Sequence, residues 1–389
     1  MLNFQKVIKN NTRGYAMGFA LVAIMIFFAI LTDGMLFMPL NITNLILQNS
    51  YVFILGMGML LCILSGGNVD LSVGSIVAFI GALCGTLIVN MGINVWIGIG
   101  IALLAGIAIG AWQGFWIAVV KIPSFIVTLA GMLIFRGLTL VILNGRTIGP
   151  FPESFQAISS GFISDYINDG ELHYITLCLG VILSIAYLVN TLRKGRQSQK
   201  YNVNKESTLL RVIKVVIMLA MINGISWIIA SYKGISVIMI ILMLLVFVYY
   251  IITKHSVFGR HIYAMGGNEK AAKLSGIKTS RVLFAAYVNM ALLSALAGIV
   301  IAGRLNAASP KAGTGFELDA IAACFIGGAS TSGGIGTVFG VIIGALIMGV
   351  LNNGMSILGI SVDWQQTIKG LVLLFAVAFD ILSKSRTKA

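Results

Sequence analysis

The sequence predicts an all-α, polytopic transmembrane helical bundle of about 10–12 spans with interrupted or re-entrant helices. Three observations carry this. Apolar side chains make up 58% of the 389 residues and charged ones only 10%, against about 25% charged in an ordinary soluble domain. Apolar runs recur at lengths near the roughly 20 residues that cross a hydrocarbon layer. None of them alternates apolar and polar residues as a barrel strand would, so the backbone must be satisfied within helices.

Twelve runs follow in order: 15–31, 45–64, 71–89, 95–120, 125–143, 174–192, 212–232, 235–253, 282–302, 318–328, 335–351 and 367–382. The first has no small-residue cleavage site behind it, since Thr32-Asp33-Gly34-Met35 follows, so it reads as an uncleaved span and not a signal peptide. The third begins after the polar Ser65-Gly66-Gly67-Asn68-Val69-Asp70 and the tenth is only eleven residues long. Both are therefore expected to be broken or re-entrant. Within the fourth, Gly106, Gly110 and Gly114 share one helical face, which lets neighbouring backbones approach closely. Val73-Gly74-Ser75 with 79–83 also echoes Ile335-Gly336-Thr337 with 342–346, as two related halves would.

Lysine and arginine total 26 against 12 acids, a net charge of +14. Their distribution argues against a nucleic-acid partner, because they gather between and beyond apolar runs. Lys6, Lys9 and Arg13 stand at the front, others within 193–211 and 254–281, and Lys384, Arg386 and Lys388 at the end. The positive-inside rule puts all four clusters in the cytoplasm. Alternate threading then places both termini inside and the 144–173 segment, with Glu153, Asp165, Asp169 and Glu171, outside. The expectation is one transmembrane domain over 1–389, with 193–211 and 254–281 as cytoplasmic loops.

The chemistry of most enzyme classes has no footing. Cys62, Cys84, Cys178 and Cys324 lie in apolar runs and read as small hydrophobes. His173, His255 and His261 stand at hydrophilic borders, without spacing for a metal site or a nucleophile's base. Gly334-x-Gly336 lacks a preceding strand and no glycine precedes a lysine, so a phosphate-binding loop is missing.

Six polar residues are candidates for a solute pathway: Asp70, Ser72, Arg136, Asn352, Asn353 and Gln365. Each also has a structural reading. Asp70 suits an N-cap on the apolar helix behind it. Arg136 is isolated in an apolar run and must face protein or water, or snorkel to the interface. The three amides serve equally as caps or interhelical hydrogen bonds.

The segment 266–276, GGNEKAAKLSG, has a complete helical grammar. Asn268 is a favoured N-cap, Glu269 suits the first turn, Lys273 the last, and Gly276 a stop. Two turns of helix are marginal alone, so packing must support them. Ala271, Ala272 and Leu274 form a small face suited to a partner's groove; a solvated surface helix is the plain alternative.

Several of these stretches resemble one family, the permease subunits of bacterial ABC importers for monosaccharides of the ribose, galactose and xylose type. The run 65–75 is similar to its GGIDLSVGS signature, with Asn68 and Val69 departing in the middle. Phe258-Gly259-Arg260-His261-Ile262-Tyr263-Ala264-Met265 with the segment behind it resembles its cytoplasmic coupling loop. Stretches 302–306, 312–315, 317–322 and 351–354 resemble its C-terminal half, so the likeness spans most of the chain outside 144–253. The stretch 323–330 and the hairpin around 193–211 are closest to the xylose or multiple-monosaccharide branch. The resemblance implies a pair of permease subunits in the lipid bilayer, an ATPase subunit that carries ATP and Mg, and an extracytoplasmic sugar-binding protein. This chain would bind no cofactor or metal. Gly266, Gly267, Asn268, Glu269, Ala271, Ala272, Leu274 and Gly276 would form the ATPase-coupling element. The rival reading is a stand-alone, ion-driven carrier of a small polar solute.

Overall fold

The computed structural model describes residues 2–165, 172–200 and 208–388. Asp169, Glu171 and the 201–207 part of the basic stretch lie outside the described residues. Among the described residues there are α-helices, a 3-10 turn at Met35–Phe37, π-helical stretches at Gly85–Asn90 and Phe115–Val119, and two isolated bridges, with no strand.

The first half comprises α1 (Leu2–Leu31), α2 (Pro39–Leu64), α3 (Val73–Cys84), α4 (Val95–Gly114) and α5 (Ser124–Leu143). A connecting part holds α6 (Glu153–Ser160), α7 (Tyr174–Lys200), α8 (Thr208–Ala230), α9 (Val237–His255), α10 (Val257–Gly267) and α11 (Glu269–Leu274). The second half is α12 (Thr279–Leu305), α13 (Phe316–Ile326), α14 (Val338–Ile357) and α15 (Val362–Lys388). Every apolar run of the sequence falls on one of these helices. Nine stretches are long and apolar enough to cross a membrane among the described residues, and Met17–Leu31 is a shorter apolar helix. The 193–211 stretch is less of a loop than its charge suggests, since α7 runs on to Lys200 and α8 begins at Thr208.

Helix α2 is the axis of the bundle, buried along almost its whole length from Tyr51 to Leu64. Glycines let its neighbours close in: a Cβ on Gly58 would meet Met290 of α12, and one on Gly56 would meet Val341 of α14. The three glycines of α4 do the same against α12, facing Ala295, Val288 and Phe284 in turn.

The chain turns back twice within the bundle: the 318–328 run is a short helix, as expected, whereas the 71–89 run continues from α3 through a π-helical stretch to Asn90 and is long enough to cross. Helix α2 ends at Leu64 and the chain turns back through 65–72 before α3 begins; α12 ends at Leu305 and turns back through 306–315 before α13. The two half-helices start side by side, because a Cβ on Gly74 would strike the Gly313 carbonyl and one on Gly313 would strike that of Gly74. They then run apart. Helix α3 follows α12 until Gly85 reaches Ala308 and Ile148, whereas α13 follows α2 and α14 until Gly327 abuts Gly340. Helix α4 lies on α12 as α14 lies on α2, and α5 lies on α3 as α15 lies on α13. The halves are thus related by an inverted exchange of α2–α5 with α12–α15. The sequence echo matched the start of α3 to that of α14, which is the wrong partner: the structural counterpart of α3 is α13.

One end of the bundle carries α10 and α11, together with the end of α2 and the start of α12. The opposite end carries the 144–165 segment, tied down by Ile148 pairing with Ala308, Phe162 with Ser236, and the Phe151 amide donating to Asn306 Oδ1 at 2.7 Å.

Candidate functional site

The stretch 254–281 forms an elbow of two helices. Ser256 opens α10 by accepting the Gly259 amide on its hydroxyl at 2.9 Å. The helix buries Ile262 and Met265, and Tyr263 donates its hydroxyl to the Gly336 carbonyl at 2.7 Å. Gly266 sits where a Cβ would strike the Leu64 carbonyl and the Gly334 backbone. Those two strands of backbone are themselves joined, the Gly334 amide donating to Leu64 O at 3.0 Å.

Asn268 then breaks the helix and starts the next. Its side chain accepts the Ala271 amide at 3.0 Å, with Glu269 in the first turn of α11 and Lys273 in the last. Gly276, at φ 85°, takes a left-handed conformation that suits glycine, and the Ile277 amide returns to Ala272 O at 3.1 Å. The short helix is thus capped at both ends and seated on the start of α12.

The seating corrects two expectations. Ala272 is 5% exposed and packs inward, and Gly266 is locked against the bundle, so neither faces a partner. Gly266 and Gly267 end α10 instead of forming a loop. Gly267, Asn268, Glu269, Ala271, Leu274 and Gly276 point outward, and Leu274 is 91% exposed. Leu274 is the large apolar side chain of that outward face.

The pathway candidates divide into three places. Asp70 and Ser72 lie together, both fully buried. Asp70 Oδ1 accepts the Ser72 amide at 2.8 Å and its hydroxyl at 2.6 Å, while Gln113 Nε2 donates to Ser72 Oγ at 2.7 Å. Asp70 therefore orders the turn before α3; it does not cap the helix itself, whose N-cap is Ser72. Arg136 lies at the junction of the half-helices, turned inward, with Nη1 donating to Pro310 O at 3.0 Å and Ala312 O at 2.8 Å. The amides sit elsewhere. Asn352 donates to Asn49 at 3.1 Å, Asn353 exchanges two hydrogen bonds with Asn41, and Gln365 donates to the Ile360 carbonyl at 2.9 Å. Asn352 and Asn353 thus tie α14 to α2, and Gln365 closes the turn into α15.

One buried cluster was not singled out by sequence. Asp319, 1% exposed on α13, accepts from Lys369 Nζ at 3.1 Å and from the Tyr51 hydroxyl at 2.5 Å, while Phe316 stacks on the Tyr51 ring. The signal was available: Lys369 interrupts the apolar run 367–382, and such a charge requires a partner at membrane depth. Among the described residues no group of three or more His, Cys, Asp or Glu is placed to hold a metal.

A family model described as the branched-chain amino acid transport system / permease component matches residues 41–377, covering both inverted halves and the elbow. The chain belongs to that family. It is 38% identical over 381 residues to the xylose transport system permease protein XylH of Haemophilus influenzae, covering 97% of this chain and 98% of that protein. The Escherichia coli K12 xylose transport system permease protein XylH is 37% identical over 377 residues, 97% of this chain and 94% of that protein. The E. coli K12 ribose import permease protein RbsC is 34% identical over 363 residues, 93% and 92% of the two chains. No solved structure matches. The protein is a multi-pass membrane permease component, and its relatives are named as transport permeases and not as enzymes.

Proposed function

We propose that this chain is the permease subunit of an ATP-driven importer for a monosaccharide, xylose or a related sugar, in the bacterial cytoplasmic membrane. The observation that carries the reading is the elbow: α11 is capped, buttressed at Ala272 and Gly266, and presents Leu274 uncovered. A separate ATPase subunit, holding ATP and Mg, receives that surface. Closure of its nucleotide domains moves the elbow as a rigid body and switches the pathway between its two orientations.

The orientation follows from the elbow. The end with α10 and α11 is cytoplasmic, and with it both termini and Arg193 toward the end of α7. The 144–165 side faces the extracytoplasmic sugar-binding protein. The sugar passes near the meeting of α3 and α13. Irregular backbone at membrane depth is tolerated where it is buried in protein or lines a wet path, and there Lys311 and Thr314 are exposed on the 306–315 return. A second permease copy completes that path. The similarity to xylose and ribose permeases supports the sugar class.

The test is Leu274→Asp in the assembled transporter. ATPase co-purification and sugar uptake are expected to fall together, while the purified permease melts as wild type does. Uptake that survives ATP depletion at a held membrane potential would instead identify an ion-driven carrier, with α11 an idle surface helix.

A further inference from the structure

The α7–α8 hairpin is attached to the bundle mainly at one end. There Ile229 of α8 packs with Ile235, Met239, Ile46 and Leu179, and the Ile235 amide donates to Thr176 Oγ1 at 3.2 Å. Toward the other end a groove of about 610 Å³ opens between the hairpin and helices α2, α9 and α14, within the range of 300–1,000 Å³ that small-molecule sites occupy. Its walls are apolar: Leu183 and Ile225 from the hairpin, Leu242, Val246 and Phe247 from α9, and Ile342 from α14. The polar atoms at its closed end are spent, since Thr176 accepts from Ile235 and Ser226 Oγ donates to Ile222 O at 2.8 Å. Nothing there can orient a sugar.

A dry groove of this kind at membrane depth is filled by the surrounding solvent, which is hydrocarbon. Along α9 it extends from Met239 to Tyr250, roughly 16 Å at the helical rise, or about half of a 30 Å hydrocarbon core. One leaflet's acyl chain has that reach. At the open end the Tyr250 ring lies 5.8 Å from that of Phe339 and 5.9 Å from that of His255. Lys254 and His255 occupy the last turn of α9 and are exposed. Helix α7 runs in the same direction and brings exposed Arg193 to this end. An apolar slot below the cations Arg193 and Lys254 fits an amphiphile with a negative head.

We propose that the groove holds one acyl chain of an anionic phospholipid, with its headgroup against Arg193, Lys254 and His255. The lipid wedges the hairpin onto the bundle two residues before Val257, where α10 and the elbow begin.

The full chain, purified in mild detergent and placed in nanodiscs of phosphatidylcholine with or without phosphatidylglycerol, is examined by native mass spectrometry. One retained phospholipid per chain is expected, with phosphatidylglycerol preferred by about thirtyfold, as about 1 kcal/mol from each of Arg193 and Lys254 implies. Ile342→Trp fills the groove and should abolish retention. Arg193→Gln with Lys254→Gln alters only exposed positions and should keep the lipid while losing the preference. Equal retention in the filled variant, no preference in the wild type, or a second copy of the chain found cross-linked across the groove would each overturn the proposal.

Discussion

Adding one methyl group at Gly266 tests whether the elbow is seated as the structure has it. The Cβ of Gly266→Ala would strike the Leu64 carbonyl, the Gly334 amide nitrogen and the Gly334 Cα. All of these are backbone, so no side chain can rotate away. Overpacking of this kind costs about 1–3 kcal/mol. Relief by spreading the two segments breaks the 3.0 Å hydrogen bond from Gly334 N to Leu64 O, worth about 1 kcal/mol. Relief by lifting α10 away breaks the Tyr263–Gly336 bond instead. The expected loss is roughly 2–4 kcal/mol by either route. Gly267→Ala is the control, because nothing lies within 4 Å of its Cβ position and its φ is negative-side helical; a change within about 0.5 kcal/mol is expected. Thermal melting of both variants in detergent, followed by size-exclusion chromatography, separates them by at least a few degrees. Uptake by the assembled transporter should fall for Gly266→Ala, and melting alone is the readout of the control. Coincident melting curves and undiminished uptake by Gly266→Ala would refute the seating of α10 between α2 and the 330–336 turn.

Two further perturbations address the buried charges. Lys369→Met leaves Asp319 buried with Oδ1 already lacking a partner, and stripping a buried pair of one member costs about 3–5 kcal/mol; the double variant with Asp319→Asn should recover more than half of that loss in melting experiments, and purely additive losses would show that the pair is not coupled. Arg136→Met removes the charged donor to Pro310 and Ala312, a bond class worth about 1.5–3 kcal/mol, so amide hydrogen exchange over 309–316 should accelerate on the order of tenfold or more while the ATPase still co-purifies; unchanged exchange would mean that the return segment is held by other contacts.

What the sequence disclosed was local or followed from the solvent. Run length and hydropathy located the helices because a span in lipid has no alternative to satisfying its own backbone. The cap at Asn268 was legible because it joins residues three apart. Helix α10 was not, since Arg260, His261 and the terminal glycines dilute its pattern and only Ser256 marks its start. Contacts across long separations left no local trace: Arg136 meets a carbonyl 174 residues away. The misaligned repeat has a physical cause. Gly81 opens room for Ala302 of α12 and Gly344 opens room for Ala323 of α13, so the same small-residue chemistry serves helix contacts that are not equivalent.

The positions of these contacts set how force travels through the bundle. The elbow presses on two chain segments at once, the end of α2 at Leu64 and the 330–336 turn, which is continuous with the end of α13. Helix α13 is eleven residues long, a rod of roughly 16 Å, and its far end is the junction with α3 at Gly313 and Gly74. That end is gripped from α5 through Arg136 and from α15 through Lys369. On the proposed coupling, displacement at the elbow would pass through the 327–336 turn and then along α13 to its junction with α3. The interruptions in α2–α3 and α12–α13 make this possible, since an unbroken helix would carry the motion past the midplane to the opposite face. The substituted charges then act at one end of the same lever that Gly266→Ala disturbs at the other, so Arg136→Met and Gly266→Ala should impair uptake by less in combination than the product of their separate effects.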